Sequence, residues 1–234
     1  MLHSFLLNIK FYLVYKIKYY FICFDINYFL QKDIKDQYLY FKKNNYEKFN
    51  CIIDIGANVG LWSLAFKTIF KNANFYLIEP NKIHNQILKN VSKNIYNYVL
   101  YSKTKYINFY HTDEFNGTGN SIYKEKSNIY FKKIKIKTNT LDDFFYEKLK
   151  EKKIDLIKID TQGSELDILK GARECLKITD RIIIEISDTN YNFKKNFKKE
   201  IFEFLKKKNF SKIEILSKSG LGKTRQKDYL FIKE

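Results

Sequence analysis

The chain has 234 residues, of which 45% are hydrophobic and 18% aromatic, enough apolar matter for one ordinary core and too much for an intrinsically disordered chain. Eight Gly and a single Pro exclude collagen-like and Pro-rich architectures. The net charge of +17 rests on 43 basic residues, yet only Arg173, Arg181 and Arg225 are arginine. That pattern reflects a Lys-, Asn- and Ile-rich composition more than a surface built to fork onto phosphate.

Cys23, Cys51 and Cys175 are an odd number without short spacing, and His3, His84 and His111 are equally scattered. Neither a disulfide framework nor a metal box follows, so no metal is expected and the compartment reads as reducing and cytoplasmic.

Residues 1–49 form an N-terminal extension. Phe5 to Phe24 is strongly apolar, but Lys10, Lys16 and Lys18 interrupt it. The uncharged stretches fall well short of the ~18 residues of a membrane span, and a signal-peptide core is missing. The expectation is one or two helices covering the following domain. The alternative is a helix lying on a membrane surface, which would place the protein peripherally on the inner membrane face.

Residues 50–234 read as one domain of alternating strands and helices. Strand Cys51–Ile55 leads to helix Leu61–Phe70 and strand Asn74–Ile78. Ile83, Ile87 and Val91, four apart, predict a second helix. Tyr106–Tyr110 and Phe131–Lys137 read as strands, the latter half-exposed. Between them, Asp113–Asn128 contains Asn116-Gly-Thr-Gly-Asn120, a hairpin loop or a lip over a substrate site. Strand Ile154–Ile159, helix Leu166–Leu176 and strand Arg181–Ile186 follow. Phe193, Phe197, Ile201 and Leu205 then stripe a last helix. Phe210–Leu216 and Tyr229–Ile232, joined by the Ser217–Gln226 loop, close the chain as an antiparallel hairpin at the sheet edge. The fold class is α/β: a doubly wound, mostly parallel sheet with helices on both faces.

Asp54-Ile-Gly56-Ala57-Asn58-Val-Gly60 sits between the first strand and helix. Its glycines permit a sharp turn and close approach of a ligand. The spacing departs from the dinucleotide fingerprint, and Asp54 would repel a pyrophosphate, so a ligand with a cationic end suits the turn better. Glu79, followed by Pro80, ends the second strand, where an acid takes ribose hydroxyls in doubly wound folds. An adenosine ligand with a cationic end fits both, and S-adenosylmethionine has those features.

Ile154-Asp-Leu-Ile-Lys158-Ile-Asp160 puts two charges on one face of a strand expected to be buried on both. Lys158 therefore needs a carboxylate partner, Glu185 first, with Asp54 or Asp160 as alternatives. Asp160, at the carboxyl end of a central strand, is the first candidate to meet the reacting group. Gln162 could hydrogen-bond a substrate. Ser164 and Asp167 have capping-box spacing, with Glu165 in the first helical turn, and Thr140 could cap a helix starting at Leu141. His84 falls beside its apolar stripe and reads as a surface residue; His111 is a minor candidate base.

The stretches CIIDIGANVG, FYLIEPN, NTLDDF, IDLIKIDTQGSELDILKGA and RIIIEIS, in that order, resemble the FkbM family of S-adenosylmethionine-dependent methyltransferases. The resemblance covers roughly residues 50–186. It implies a seven-stranded Rossmann-like methyltransferase sheet and O-methylation of a hydroxyl, on a surface-glycan sugar, its precursor or a small natural product. Carried over, Asp54, Gly56, Ala57, Asn58 and Gly60 would hold the methionine part of the cofactor, and Glu79 with Pro80 the ribose side. Asp160 would be the favoured base, then Glu185 and Glu165. The family usually has a Glu where this chain has Gln162, which removes a negative charge there. By this reading Gly56→Arg or Asp54→Ala abolishes cofactor binding and leaves the fold mostly intact. Rival readings are an RNA or DNA methyltransferase, although no specific nucleic acid is expected, and a membrane-surface protein with an inactive cofactor site.

Overall fold

Short apolar runs that end at Gly, Glu or Asp become the central strands of a seven-stranded sheet. The computed structural model describes residues 10–18, 20, 30–46, 48–112, 120–124, 126, 130–149, 151–188, 197–219 and 226–234. His3, Cys23, Phe193, Arg225 and much of the Asp113–Asn128 and Ser217–Gln226 loops lie outside them.

After a helical stretch at residues 10–18 come α1 (Lys32–Lys43), β1 (Cys51–Ile55), α2 (Leu61–Ile69) and β2 (Asn74–Ile78). Next are α3 (Asn85–Leu88), β3 (Asn94–Tyr96), β4 (Val99–Leu100), β5 (Tyr106–His111), β6 (Lys132–Asn139) and α4 (Leu141–Glu147). The chain continues through β7 (Leu156–Ile159), α5 (Glu165–Lys170), β8 (Arg181–Ser187), α6 (Lys198–Lys206), β9 (Phe210–Ser219) and β10 (Gln226–Lys233). The main sheet runs β3-β2-β1-β7-β8-β10-β9, with β10 antiparallel to both of its neighbours and every other pair parallel. The C-terminal hairpin is at the sheet edge as expected, with β10 inserted between β8 and β9. Strands β4, β6 and β5 form a separate small sheet, in which β5 and β6 pair antiparallel.

Strand side chains alternate, and the core divides accordingly. Ile53, Ile157, Ile182 and Ile184 face a cluster with Leu141, Phe144, Leu166, Leu169, Ile201 and Leu205 from α4, α5 and α6. Ile52, Leu77, Leu156, Ile183 and Leu230 face the opposite cluster with Ile34, Tyr38 and Phe41 of α1 and Trp62, Ala65 and Phe66 of α2. Helix α1 is thus packed on the sheet and α2. Tyr40 Oη donates to Glu214 Oε2 on β9 at 2.5 Å, and Trp62 Nε1 donates to Gln37 Oε1 at 2.8 Å.

Two helices are shorter than their periodicity suggests. The Ile83/Ile87/Val91 stripe becomes a 3-10 turn, Lys82–His84, followed by the four-residue α3. Asn and Ser side chains there bond the backbone instead, with Asn90 donating to the Ile87 carbonyl and Ser92 to that of Phe75. The helix expected over Leu166–Leu176 stops at Gly171, where a Cβ would meet the Tyr101 carbonyl oxygen at 2.3 Å, and Cys175–Ile178 resumes as a 3-10 turn. Thr140 and Asp143 do form a reciprocal capping box on α4.

Candidate functional site

The turn after β1 is wound through three left-handed positions, Gly56 (φ 80°), Asn58 (φ 48°) and Gly60 (φ 75°). Gly56 N–H donates to the Ile78 carbonyl at 2.9 Å, which ties the turn to the end of β2. Gly56 also packs on the β7 turn: a Cβ there would lie 1.9 Å from the Asp160 carbonyl oxygen. Glu79, at the end of β2, is almost fully buried. Its Oε2 accepts the Asn58 N–H at 2.8 Å and its Oε1 accepts the Asn81 N–H at 2.8 Å. A carboxylate so fixed retains lone pairs for two further donors.

On the α1–α2 side, a row of charges crosses four adjacent strands, near the carboxyl ends of β1, β7 and β8 and near the start of the antiparallel β10. Asp54 on β1 is in register with Lys158 on β7, and Asp228 on β10 with Glu185 on β8. Residues opposite in register share a face, as do residues two apart along a strand, which is why Lys158 Nζ meets Asp54 Oδ1 (3.5 Å) and Asp160 Oδ2 (3.2 Å). Glu185, the partner favoured from sequence, does not ion-pair with it. Gln162 Nε2 occupies that place instead, donating to Asp160 Oδ1 at 3.0 Å and Glu185 Oε2 at 3.2 Å, and Gln226 Nε2 reaches Glu185 Oε2 at 3.3 Å.

Burial acts on every group of the row. It works to lower the Lys158 ammonium, but the carboxylates of Asp160 and Asp54 outweigh it and hold the lysine charged above its ordinary range. Burial raises Asp54 against the pull of Lys158 and of Ser63, whose Oγ donates to Asp54 Oδ2 at 2.6 Å. Burial, then the charges of Asp160 and Asp228, lift Glu185 well above the usual carboxylate range. Asp228 is pushed up to about 6, chiefly by burial.

One cavity of about 450 Å³ gathers most of these residues. Its wall includes Gly56, Ala57, Asn58, Glu79 and Pro80 on one side of the motif set, and Lys158, Asp160, Gln162, Glu185 and Asp228 on the other. Three expected residues are not in that wall. Asp54 is fully buried behind it, Gly60 starts α2, and the buried Glu165 turns inward to accept the N–H groups of Thr161 (3.2 Å) and Gly163 (2.9 Å). Glu165 thus holds the β7 turn in shape. The Ser164–Asp167 capping box does not form: Ser164 Oγ donates to the Thr161 carbonyl, and Asp167 accepts from Tyr123 Oη at 2.7 Å.

His84, expected on the surface, is 1% exposed, lines the cavity and places Nδ1 3.8 Å from Glu79 Oε1. His111 lies at the end of β5 and outside the cavity wall. Sequence reasoning also missed Gln37, Trp62, Tyr98, Phe109, Ser121 and Asp228 as lining residues. Gln37 did carry a signal, a polar residue among Ile34, Tyr38 and Phe41 on the buried face of α1. Ser121 Oγ donates to the Gln162 carbonyl at 3.0 Å, joining the small sheet to the β7 turn. Among the described residues, no cluster of His, Cys, Asp and Glu could hold a metal.

Residues 54–212 match the family model described as Methyltransferase FkbM domain. Among solved structures, the chain is similar to the N-terminal domain of EvdMO1 with SAH bound, at 10% identity and TM-score 0.51 over 90% of this chain and 85% of that one. It is similar to magnesium protoporphyrin IX methyltransferase (ChlM) from Synechocystis PCC 6803 with bound SAM, at 9% identity and TM-score 0.51 over 86% and 78%. The EvdMO1 domain in the presence of SAH and D-fucose gives TM-score 0.50 at 9% identity over 88% and 84%. At these identities the likeness is one of fold. No curated protein sequence matches the chain.

Proposed function

The chain belongs to the FkbM methyltransferase family, and from that premise we propose that it uses S-adenosylmethionine to methylate a hydroxyl, on a sugar of a surface glycan, its precursor or a small natural product. The observation that carries this reading is the single cavity shared by the Gly56–Asn58 turn, Glu79 and the Asp160–Gln162–Glu185 group. The residues present suit the cofactor. Asn58 Oδ1 is a buried acceptor without a hydrogen-bond partner among the described residues, placed for a ligand N–H or O–H. Glu79 would take the ribose hydroxyls, and Gly56 and Ala57, which line the cavity, would meet the methionine part. When bound, S-adenosylmethionine supplies a methyl group already activated on a sulfonium.

The protein's own task is alignment and removal of one proton. Gln162 fixes the carboxylates of Asp160 and Glu185 relative to each other through a single amide nitrogen. Asp160 is engaged with the Lys158 ammonium. Asp160, which lines the cavity beside the Lys158 ammonium, is the first candidate to take the hydroxyl proton; Glu185, which burial and neighbouring carboxylates raise and so tend to keep protonated, is the second. The EvdMO1 domain described with SAH and D-fucose supports beginning with sugars. The test is calorimetric titration with S-adenosylhomocysteine, with NADH as control, followed by transfer of labelled methyl to nucleotide-sugar and glycan acceptors. A methyl ether in the product supports the reading; folded protein that binds neither ligand, or a product methylated on nitrogen, overturns it.

One observation favours nucleic-acid methylation as a second reading. Tyr106, Asn108 and Tyr110 on β5 stand opposite Lys137, Lys135 and Lys133 on β6, a lysine-tyrosine face of the kind that tracks phosphates and stacks bases. Salt-sensitive RNA binding lost on charge reversal of those lysines would support it.

A further inference from the structure

The helical stretch at residues 10–18 is amphipathic in an inverted sense. Phe11, Tyr12 and Tyr15 pack inward against the α1–α2 core cluster, and Tyr15 also lines the cavity. That contact fixes which side of the helix faces out. The outer side carries Leu13 (52% exposed), Val14 and Ile17 (55% exposed), with Ile17 four residues from Leu13 and three from Val14, the spacing of one helix face. Tyr20 (64% exposed) lies just beyond. Lys16 and Lys18 flank this stripe and Lys10 precedes it; the first 24 residues contain no Asp or Glu at all.

We propose that this face docks the protein on an anionic lipid surface, with Leu13, Val14 and Ile17 entering the headgroup–acyl boundary and Lys10, Lys16 and Lys18 meeting lipid phosphates. Three features select a bilayer as the occupant. A stripe of branched aliphatics edged by lysines matches an interfacial helix, whose lysine stems lie along the apolar layer while their ammonium groups reach the headgroups. Tyrosine suits the same depth. A second copy of the chain would instead oppose like charges across the contact, which costs binding energy that anionic headgroups return. No described helix is long and apolar enough to cross a membrane. Because Tyr15 reaches the cavity from the same helix, docking would set the cavity beside the lipid surface.

The test is co-sedimentation of the full chain with vesicles of phosphatidylcholine alone and of phosphatidylcholine with phosphatidylglycerol. Binding is expected to the anionic vesicles only, to weaken with salt, and to fall at least tenfold in the Leu13→Asp/Ile17→Asp variant. Both positions are exposed, so melting temperature and S-adenosylhomocysteine affinity should stay at the wild-type values, separating this inference from the enzymatic one. Lys16→Glu/Lys18→Glu should reduce binding in proportion to charge. Wild-type protein that stays in the supernatant with anionic vesicles at low salt overturns the proposal. So does vesicle binding untouched by the Leu13/Ile17 change, or a dimer in light scattering that the same change dissolves without any vesicle binding.

Discussion

The backbone carbonyl of Asp160 occupies the space that a Cβ on Gly56 would need, at 1.9 Å. The β1 turn and the β7 turn therefore lie backbone against backbone. Gly56→Ala forces them apart and also places a side chain at φ 80°, so a loss of roughly 3–5 kcal/mol of stability is expected. This overturns the expectation that Gly56→Arg would spare the fold. Urea denaturation of the Ala variant checks it; a loss below about 1 kcal/mol would mean that the two turns separate cheaply.

Asp54→Ala should likewise unsettle the fold and not only the cofactor site. Asp54 is fully buried with Lys158 and Ser63, and removing one partner from a buried charge group costs about 3–5 kcal/mol. Replacing Asp54 and Lys158 together with Leu and Met should recover most of that loss. Denaturation midpoints of the single and double variants decide the matter.

Glu79→Gln keeps the shape of the side chain but loses its charge and one acceptor oxygen, one of the two that take the Asn58 and Asn81 N–H groups. The expected outcome is a 10- to 100-fold weaker affinity for S-adenosylhomocysteine in calorimetry with little change in melting temperature. Unchanged affinity would remove Glu79 from the cofactor site.

Gln162→Glu replaces the donor between Asp160 and Glu185 with a third carboxylate. One of the three must then take up a proton or they repel. The variant should lose stability relative to wild type as pH rises through and above the ordinary carboxylate range, by about 1–3 kcal/mol. Parallel stability curves for the two proteins would show that the bridge matters little.

Asp228 has a folded pKa of about 6 against an ordinary value of 3.8. Between those values the folded state binds the proton more tightly than the unfolded state, so stability falls as pH rises from about 4 to about 6 and is then level. Asp228→Asn lacks that decline and should be more stable than wild type at pH 7 by up to about 3 kcal/mol. Chemical denaturation at pH 4.5 and pH 7 should show the difference between the two proteins growing with pH.

Much of this was legible in the chain. Cys51–Ile55 and Asn74–Ile78 form strands with the expected bounds, because short apolar runs ending at Gly or Pro leave little choice. The parity of Lys158 and Asp160 places both charges on one face of the strand from the sequence alone. The partner of Lys158 was not legible, since it depends on which residue of β1 lies opposite, and register across a parallel crossover has no local signature. The burial of His84 escaped notice for a related reason: its helix broke after one turn, so the periodic stripe no longer described which side faced the core. Glu165 looked like a first-turn acid and proved to fasten the preceding loop.

The small β4–β6–β5 sheet shares no strand pairing with the main sheet and contacts the β7 turn through Ser121, while its Phe109 lines the cavity. A change of side chain on this sheet can therefore reach the cavity through Phe109 or Ser121 without passing through the register of Asp54 with Lys158.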